Sequence, residues 1–214
     1  MSYALPSVTR VPAAERGLTI ADFLVPVRVG ERVSPRVRDA GLVLAGTALL
    51  VLGSRIAVPL PGNPVPFTLQ TLAVLLAGGA LGLRRGALAS ALFLVLGVAG
   101  LPVFAESRSG LAVVTGATGG YLVGFIAAAA LVGWLAELGW DRHLGGSIGM
   151  NLLGTAVIYL VGVPWLAVTA GVSLGGAVGL GLVPFLAGDV VKLLVAAGAF
   201  PAAWWVVGRR PSDR

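Results

Sequence analysis

Long runs of residues without an ionisable side chain constrain this chain more than any other feature of its sequence. Residues 40–52, 119–136 and 190–207 contain almost no charged groups. A helix that crosses a bilayer needs about 20 predominantly apolar residues. Only 11% of the 214 residues are charged and the mean hydropathy is +0.95, whereas soluble domains carry about 25% charged residues. The chain is therefore predicted to be an integral membrane protein.

Apolar runs between turn and charge signals predict an all-α fold, a six-helix transmembrane bundle. The predicted spans are residues 38–58, 68–83, 86–101, 119–138, 147–170 and 184–208. Residues 1–37 then form an N-terminal cytoplasmic tail, 38–208 the membrane domain and 209–214 a C-terminal tail. The tail is not predicted as a signal peptide, because about 38 mixed residues precede the first apolar stretch. Within it, residues 18–29 are predicted as a short helix on the membrane surface.

The distribution of positive charge predicts that both termini lie in the cytoplasm. Six spans place the two termini on one side, and only Arg55 and Arg108 then fall at the outer face. Basic residues concentrate on the cytoplasmic side of membrane proteins. The net charge of +6 is thus interpreted as a topology signal and not as a nucleic-acid surface. Twelve of the fifteen Lys and Arg residues are assigned to the inside: Arg10, Arg16, Arg28, Arg32, Arg36, Arg38, Arg84, Arg85, Arg142, Arg209, Arg210 and Arg214.

The second and third predicted helices are unusually short. About 16 residues each cover about 24 Å of a hydrocarbon core roughly 30 Å thick. Arg84 and Arg85 are predicted to form a tight hairpin between these two helices. We expect the two helices to lie inside the bundle or to thin the membrane locally. Gly41 and Ala45 on the first helix form a small-xxx-small pair. This pair fits either packing within the bundle or docking of another membrane subunit.

The residue types that the chain lacks exclude several kinds of chemistry. Without cysteine there is no disulfide and no thiolate site, and His143, the single histidine, is expected in a solvated loop. The sequence contains no P-loop, no histidine metal motif, no paired catalytic carboxylates and no Gly-x-Ser-x-Gly elbow. We therefore predict neither an enzyme nor a resident cofactor or metal.

The strongest functional candidate is the sequence Gly188-Asp189-Val190-Val191-Lys192 inside the sixth apolar run. Asp189 and Lys192 are three residues apart and share one face of a helix. An ionisable group within a bilayer costs at least about 2.5 to 3.5 kcal/mol, so such a group is a functional candidate by default. Lys192 is also the only lysine, beside fourteen arginines. A structural ion pair between helices is the alternative interpretation.

Other polar and aromatic side chains are predicted at the depth of this pair. A helix that enters from outside carries Asp189 and Lys192 about 8 to 12 Å below its start, in the outer leaflet. Several of these side chains have an alternative role outside a binding site: Thr68 fits a helix N-cap, Tyr121 an interfacial residue and Phe104 a loop anchor. Together these side chains predict a pocket beneath the loops 59–66 and 102–118. It suits an amphipathic ligand with N–H donors, a carbonyl or carboxylate and an apolar body, such as a cyclic urea with a fatty acid tail. The predicted lining comprises Phe67, Thr68, Gln70, Phe104, Arg108, Tyr121, Asp189 and Lys192.

Four motifs resemble a known family. They are Val65-Pro66-Phe67-Thr68-Leu69-Gln70-Thr71, Gly100-Leu101-Pro102-Val103-Phe104-Ala105, Thr118-Gly119-Gly120-Tyr121-Leu122-Val123-Gly124-Phe125 and Gly188-Asp189-Val190-Val191-Lys192. In this order and spacing, across residues 40–205, they resemble the BioY family. Its members are the biotin-specific substrate-binding, or S, components of energy-coupling factor (ECF) transporters.

The resemblance implies a bundle of the ECF S-component type in a bacterial cell membrane, which captures biotin at the outer face for energy-coupled import. It implies as partners a transmembrane coupling protein and two ABC-type ATPases, and these ATPases would use the ATP. The family's acid and amine on the sixth helix correspond here to Asp189 and Lys192, and its loop arginine to Arg108. The alanine-rich docking face on the first helix is represented by Gly41, Ala45 and Ala48.

A stand-alone secondary transporter of a small organic solute is the alternative function. In that case Asp189 and Lys192 would relay protons or ions, and no ATPase would be needed. Uptake by proteoliposomes that contain this protein alone distinguishes the two functions.

Overall fold

The computed structural model describes residues 19–25 and 34–207, which are almost entirely helical. Four segments within these ranges are long and apolar enough to cross a membrane: Pro35–Arg55, Gly119–Glu137, Leu144–Ala170 and Leu174–Val207. The six predicted helices correspond to the observed helices Pro35–Arg55, Gln70–Leu81, Leu83–Val98, Gly119–Glu137, Leu144–Ala170 and Leu186–Val207, so the predicted all-α architecture is confirmed. The elements are α1 Ile20–Leu24, α2 Pro35–Arg55, β1 Ala57–Val58, β2 Phe67–Thr68, α3 Gln70–Leu81, α4 Leu83–Val98, α5 Leu111–Thr115, α6 Gly119–Glu137, α7 Leu144–Ala170, α8 Leu174–Gly181 and α9 Leu186–Val207, with 3₁₀ turns at Ala105–Ser107, Trp140–Arg142 and Val183–Phe185.

Three connecting segments, residues 56–69, 99–118 and 171–185, gather at one end of the bundle, called here the loop end. Strands β1 and β2 pair antiparallel there, with Ala57 opposite Thr68. Asn63 donates a hydrogen bond to the Leu180 carbonyl over 2.7 Å, which joins two of the segments. The predicted helical bounds 38–58 and 68–83 are thus wrong at this end. Pro59 disfavours helical backbone at Val58, and the chain leaves the helix for a hairpin.

The turn between α3 and α4 lies at Gly82, whose φ of +84° suits glycine. Arg84 and Arg85 therefore belong to the first turn of α4, and the predicted hairpin at these arginines is displaced by two residues. Helix α3 has 12 residues, none of them exposed, so it lies inside the bundle. A Cβ at Gly78 would lie 2.8 Å from the Ala129 carbonyl oxygen. The short helices α3 and α4 thus pack against α6 through small residues.

The opposite end of the bundle, called the α1 end, is closed by the short helix α1. Thr19, Ile20 and Ala21 are buried. Ile20 belongs to an apolar cluster with side chains of the bundle helices, including Met150 and Phe200. The surface helix predicted at residues 18–29 is therefore wrong in burial, because the helix packs on the bundle. Its five residues end before Pro26, which limits the length of a helix here. Residues 18 and 26–29 lie outside the described part of the chain.

Asp22 on α1 joins this helix to the bundle by ion pairs. Its carboxylate lies 2.7 Å from the guanidinium of Arg38 and 2.8 Å from that of Arg85. Thr19 donates to the same carboxylate through its backbone N–H and its hydroxyl. Burial raises the pKa of Asp22, but hydrogen bonds from Arg38, Thr19 and Arg85 outweigh it and leave the pKa below its ordinary value.

The lowered pKa predicts a stability that depends on pH. Because the folded pKa lies below the unfolded one, the carboxylate stabilises the fold above the unfolded pKa, and this contribution is lost as pH falls through the folded pKa. Asp22→Asn is expected to lower the free energy of unfolding by about 1 to 3 kcal/mol at pH 7. Thermal melts in detergent at pH 7 and below pH 4 measure the effect, which should shrink at the lower pH. Asp39→Asn is the matched control, since the Asp39 side chain is 48% exposed and should matter less. An equal loss at both pH values would contradict the prediction.

The small-residue stripe on α2 faces away from the bundle. Gly41, Ala45 and Ala48 are all exposed, and no atom lies within 4 Å of a Cβ built on Gly41. Gly46 and Gly53 make the close contacts of this helix instead. Packing within the bundle is therefore the wrong interpretation of Gly41 and Ala45.

His143 is exposed, as expected. The predicted tail 209–214, residue 208 and most of the predicted tail 1–37 lie outside the described residues.

Candidate functional site

A partly open cavity lies at the loop end between α3, α6, α7 and α9. The cavity wall includes seven of the eight predicted lining residues: Thr68, Gln70, Phe104, Arg108, Tyr121, Asp189 and Lys192. Phe67 does not line the cavity but lies directly behind it.

Asp189 and Lys192 form a buried ion pair in the first turns of α9. Lys192 Nζ lies 2.9 Å from Asp189 Oδ1, and the two side chains are only 6% and 8% exposed. Helix α9 begins at Leu186 at the loop end, so both groups lie about 5 to 9 Å below its start. The pair is therefore accessible from the loop end through the cavity and is otherwise enclosed by protein.

Thr71 and Tyr159 complete the hydrogen bonding of the pair. Lys192 Nζ donates to Thr71 Oγ1 over 3.1 Å, and Thr71 Oγ1 lies 3.4 Å from Asp189 Oδ1. The Tyr159 hydroxyl donates to Asp189 Oδ2. Each charge thus has neutral polar partners on a neighbouring helix, α3 or α7, besides its ionic partner. Such partners hold both side chains in one geometry.

Aromatic rings form much of the remaining wall. Tyr121 donates to the Gly181 carbonyl over 2.9 Å, and its ring stands edge-on to that of Tyr159 at 6.2 Å. Phe67 stacks on Phe185 at 6.2 Å. Lys192 Nζ lies 4.0 Å from the centre of the Phe67 ring, so a cation–π contact supports the amine from the far side. The interfacial interpretation of Tyr121 is wrong, because the ring is 8% exposed and belongs to the core.

Gln70 brings a buried amide to the cavity. Its side chain is buried, and its Nε2 atom has no hydrogen-bond partner among the described residues. Gln70 Oε1 lies 3.4 Å from Thr68 Oγ1, which also accepts from the Gln70 backbone N–H over 3.3 Å. A buried donor without a partner costs about 1 to 3 kcal/mol. The Gln70 amide is therefore available to an acceptor on a ligand.

The segment 102–108 covers the cavity and carries Phe104 and Arg108. Phe104 is fully buried and stands edge-on to Phe93 at 5.5 Å. The Arg108 side chain is 43% exposed, and its Nε lies 3.4 Å from Glu106 Oε2. Arg108 is thus a cation at the rim of the cavity, whereas Lys192 is the cation at its floor.

Sequence reasoning missed several lining residues. Thr71 is the last residue of the motif at 65–71, but no property of the sequence indicates that it contacts the ion pair. Phe185 lies in a turn that no sequence pattern places at the cavity. Tyr159 had a usable signal: it is the only tyrosine in the long apolar helix α7, and a buried hydroxyl needs a partner. Val113 and Ile158 are apolar residues with no feature that distinguishes them from other core positions.

Known proteins resemble this chain over most of its length. The model of the BioY family matches residues 26–209. The "Biotin transporter BioY" of Thermotoga maritima is 42% identical over 158 residues, which cover 73% of this chain and 90% of that protein. The protein of the same name from Rhizobium etli is 38% identical and covers 75% of this chain and 89% of its own length.

A solved structure has the same fold. It is the crystal structure of the S-component for biotin from an ECF-type ABC transporter, and it superposes with a TM-score of 0.72 at 27% identity. The match covers 79% of this chain and 92% of that one.

Proposed function

The chain belongs to the BioY family, and on this premise we propose that it captures biotin in the loop-end cavity. Its function is that of a substrate-binding membrane component for biotin uptake. One observation carries the assignment of the site: the buried Asp189–Lys192 pair opens into a cavity with aromatic walls. A pair that served only to join helices would have no need of this space.

The chemistry of the cavity matches the three parts of biotin. Biotin has a cyclic urea with two N–H donors and a carbonyl, a thioether ring, and a carboxylate at the end of an alkyl chain. Asp189 accepts from a urea N–H group, and Lys192 or the Gln70 amide donates to a carbonyl or carboxylate oxygen. The apolar ring and chain lie against the aromatic walls. Arg108, at the rim, is placed to meet the carboxylate of a ligand whose urea lies at the floor.

The lining also implies how the pair accommodates a ligand. Asp189 Oδ1 accepts from Lys192 and Thr71, and Oδ2 accepts from Tyr159, whereas a carboxylate offers about four lone-pair sites. The one remaining site, on Oδ2, can accept an N–H group of a urea without the loss of a protein bond. The protein network is therefore arranged before the ligand enters, which lowers the entropy lost on binding.

We propose that the loop end faces the outside and both termini the cytoplasm, in a bacterial cell membrane. The distribution of arginines supports this orientation. A transmembrane coupling protein and ABC-type ATPases are the proposed partners, and they supply the ATP hydrolysis for which this chain has no P-loop. We assign the chain no catalytic step and no cofactor. The exposed stripe Gly41, Ala45 and Ala48 offers close backbone approach to the coupling protein.

Equilibrium titration of the purified protein with biotin tests the proposal. Saturable binding with one site per chain is expected, because one cavity holds the pair, and riboflavin and thiamine as controls should not compete. Binding of all three, or of none, would contradict the assignment. Proteoliposomes that contain this protein alone then test energy coupling: biotin accumulation without ATPase partners would favour the alternative of secondary transport.

A further inference from the structure

We propose that Arg55, at the end of α2, is the latch of a lid formed by residues 102–108 and thereby sets the rates at which ligand enters and leaves the cavity. Arg55 does not line the cavity, so it is a positioning residue that acts through the lid. The identity of the ligand in this inference rests on the proposed function, whereas the role of Arg55 in holding the lid does not.

The lid is a wall of the cavity and not a loose surface loop. Phe104, Ala105 and Arg108 line the cavity, and Val103, Phe104 and Ala105 are buried. The Phe104 ring occupies the space in which a Cβ at Gly97 would lie, so the lid is seated tightly on α4. A ligand that enters or leaves on the side of this segment must therefore displace part of residues 102–108.

Two neighbouring residues of α2 hold the lid in different ways. Ser54 is fully buried, and its hydroxyl lies 2.6 Å from the Val103 carbonyl oxygen and 2.7 Å from that of Val51 on its own helix, so these two carbonyls share its one proton. Arg55 is exposed; its guanidinium donates to the Pro102 carbonyl over 2.6 Å and to the Ser107 hydroxyl. Arg55 thus spans the lid from its first residue to its sixth, whereas Ser54 fixes only one edge.

The lid itself has a backbone that needs outside support. Glu106 and Ser107, two consecutive residues that are not glycine, both have a φ of +58°. Residues with side chains rarely adopt this conformation and keep it only where their surroundings enforce it. Within the lid, Phe104 N–H donates to the Arg108 carbonyl over 3.1 Å and Arg108 N–H to the Ala105 carbonyl over 3.2 Å. The contact from Arg55 to Ser107 acts directly on this strained turn.

Ser54 and Arg55 differ in burial, and we infer different roles for them in the movement of the lid. The Ser54 bond is shielded from water, and its loss would leave a buried carbonyl without a donor. The Arg55 bonds face solvent, where water replaces them in part, so breaking them costs less free energy than breaking the Ser54 bond. Ser54 is therefore the hinge of the lid, and Arg55 is the contact that opens and closes.

Thiol labelling tests the latch without any ligand. The chain has no cysteine, so Ala105→Cys places a single reporter thiol on the buried face of the lid. In this background Arg55→Met is expected to raise the rate of modification by a charged thiol reagent roughly five- to tenfold, as the loss of two solvent-facing hydrogen bonds predicts. Arg55→Lys, which reaches one acceptor, and Ser107→Ala should give smaller increases. Arg84→Met is the matched control at the α1 end and should leave the rate unchanged. Equal rates with Arg55 and with Arg55→Met overturn the latch.

Binding kinetics test its role in uptake. Stopped-flow measurement should show that Arg55→Met raises the association and dissociation rates of biotin together, by roughly five- to tenfold, with little change in Kd. A damaged site would raise the dissociation rate alone and weaken Kd, and that result overturns the gate. If the unaltered protein fails to bind biotin, the proposed function fails, and the labelling experiment still decides the latch.

Discussion

The double variant Asp189→Asn with Lys192→Met is expected to fold and to bind biotin at least about 10- to 100-fold more weakly than the unaltered protein. Both charges disappear together, so neither is left unpaired in the protein interior. Replacement of a complete buried ion pair is often neutral for stability. Ligand binding should still suffer, because a hydrogen bond to a charged group contributes about 1.5 to 3 kcal/mol, and each 1.4 kcal/mol is tenfold in affinity.

The single variants should lose both affinity and stability. Asp189→Asn leaves the Lys192 ammonium without its carboxylate, and Lys192→Met leaves the carboxylate with neutral donors only. Removal of one member of a buried pair destabilises proteins by about 3 to 5 kcal/mol. Each single variant should also bind biotin more weakly by at least about 1.5 to 3 kcal/mol.

The comparison of single and double variants separates the two interpretations of the pair. Melting temperatures and equilibrium titrations of all three variants are the measurements. Recovery of stability in the double variant without recovery of binding identifies a ligand site. Biotin affinity equal to that of the unaltered protein in the double variant would return the pair to a structural role.

Gly188→Ala is expected to weaken biotin binding by up to about 100-fold, the second largest effect. A Cβ at Gly188 would overlap the ring of Phe67. That ring is held between Phe185 and the Lys192 ammonium, so it cannot move without a change at the floor of the cavity. Overpacking of a well-packed core costs about 1 to 3 kcal/mol of stability. Affinity falls tenfold for each 1.4 kcal/mol of this strain that bears on the ligand-bound geometry of the floor.

Gly198→Ala on the same helix is the matched control. No atom lies within 4 Å of a Cβ at this position, and the residue is exposed. Alanine is a better helix former than glycine by about 1 kcal/mol. The control should therefore bind biotin normally and melt no lower than the unaltered protein. Normal binding by Gly188→Ala as well would show that Phe67 does not support the site.

The candidate site could be predicted unusually well from sequence because its key residues are polar groups in an apolar background. Asp189 and Lys192 stand out in a run where every charged side chain is costly. Gln70 and Tyr121 lie in the motifs that resemble the family, and Arg108 corresponds to its loop arginine. All of these residues line the cavity. The alternative interpretations of two residues are wrong. Tyr121 is a core residue and not an interfacial one, and Thr68 lies in a strand before the helix that it was expected to cap.

The partners of these residues could not be predicted. Thr71 and Tyr159 complete the network from α3 and α7, and neither position shows a pattern that points toward α9. Arg55 appeared in the sequence only as a charge at the outer face, yet it is hydrogen-bonded to the lid. The α1 helix likewise appeared to be a surface element, because no local feature shows that Ile20 fills a gap between other helices.

By itself the sequence determined that this protein lies in a membrane, where its helices are and which chemical groups its cavity contains. Those properties depend on the transfer of each residue into a bilayer and on the spacing of residues along one helix, which are local quantities. Only the tertiary structure decided which hydroxyl meets Asp189, which arginine holds the lid and which face of α2 stays exposed. Such contacts depend on the rotation and crossing of whole helices, which many side chains determine jointly, so no single segment encodes them.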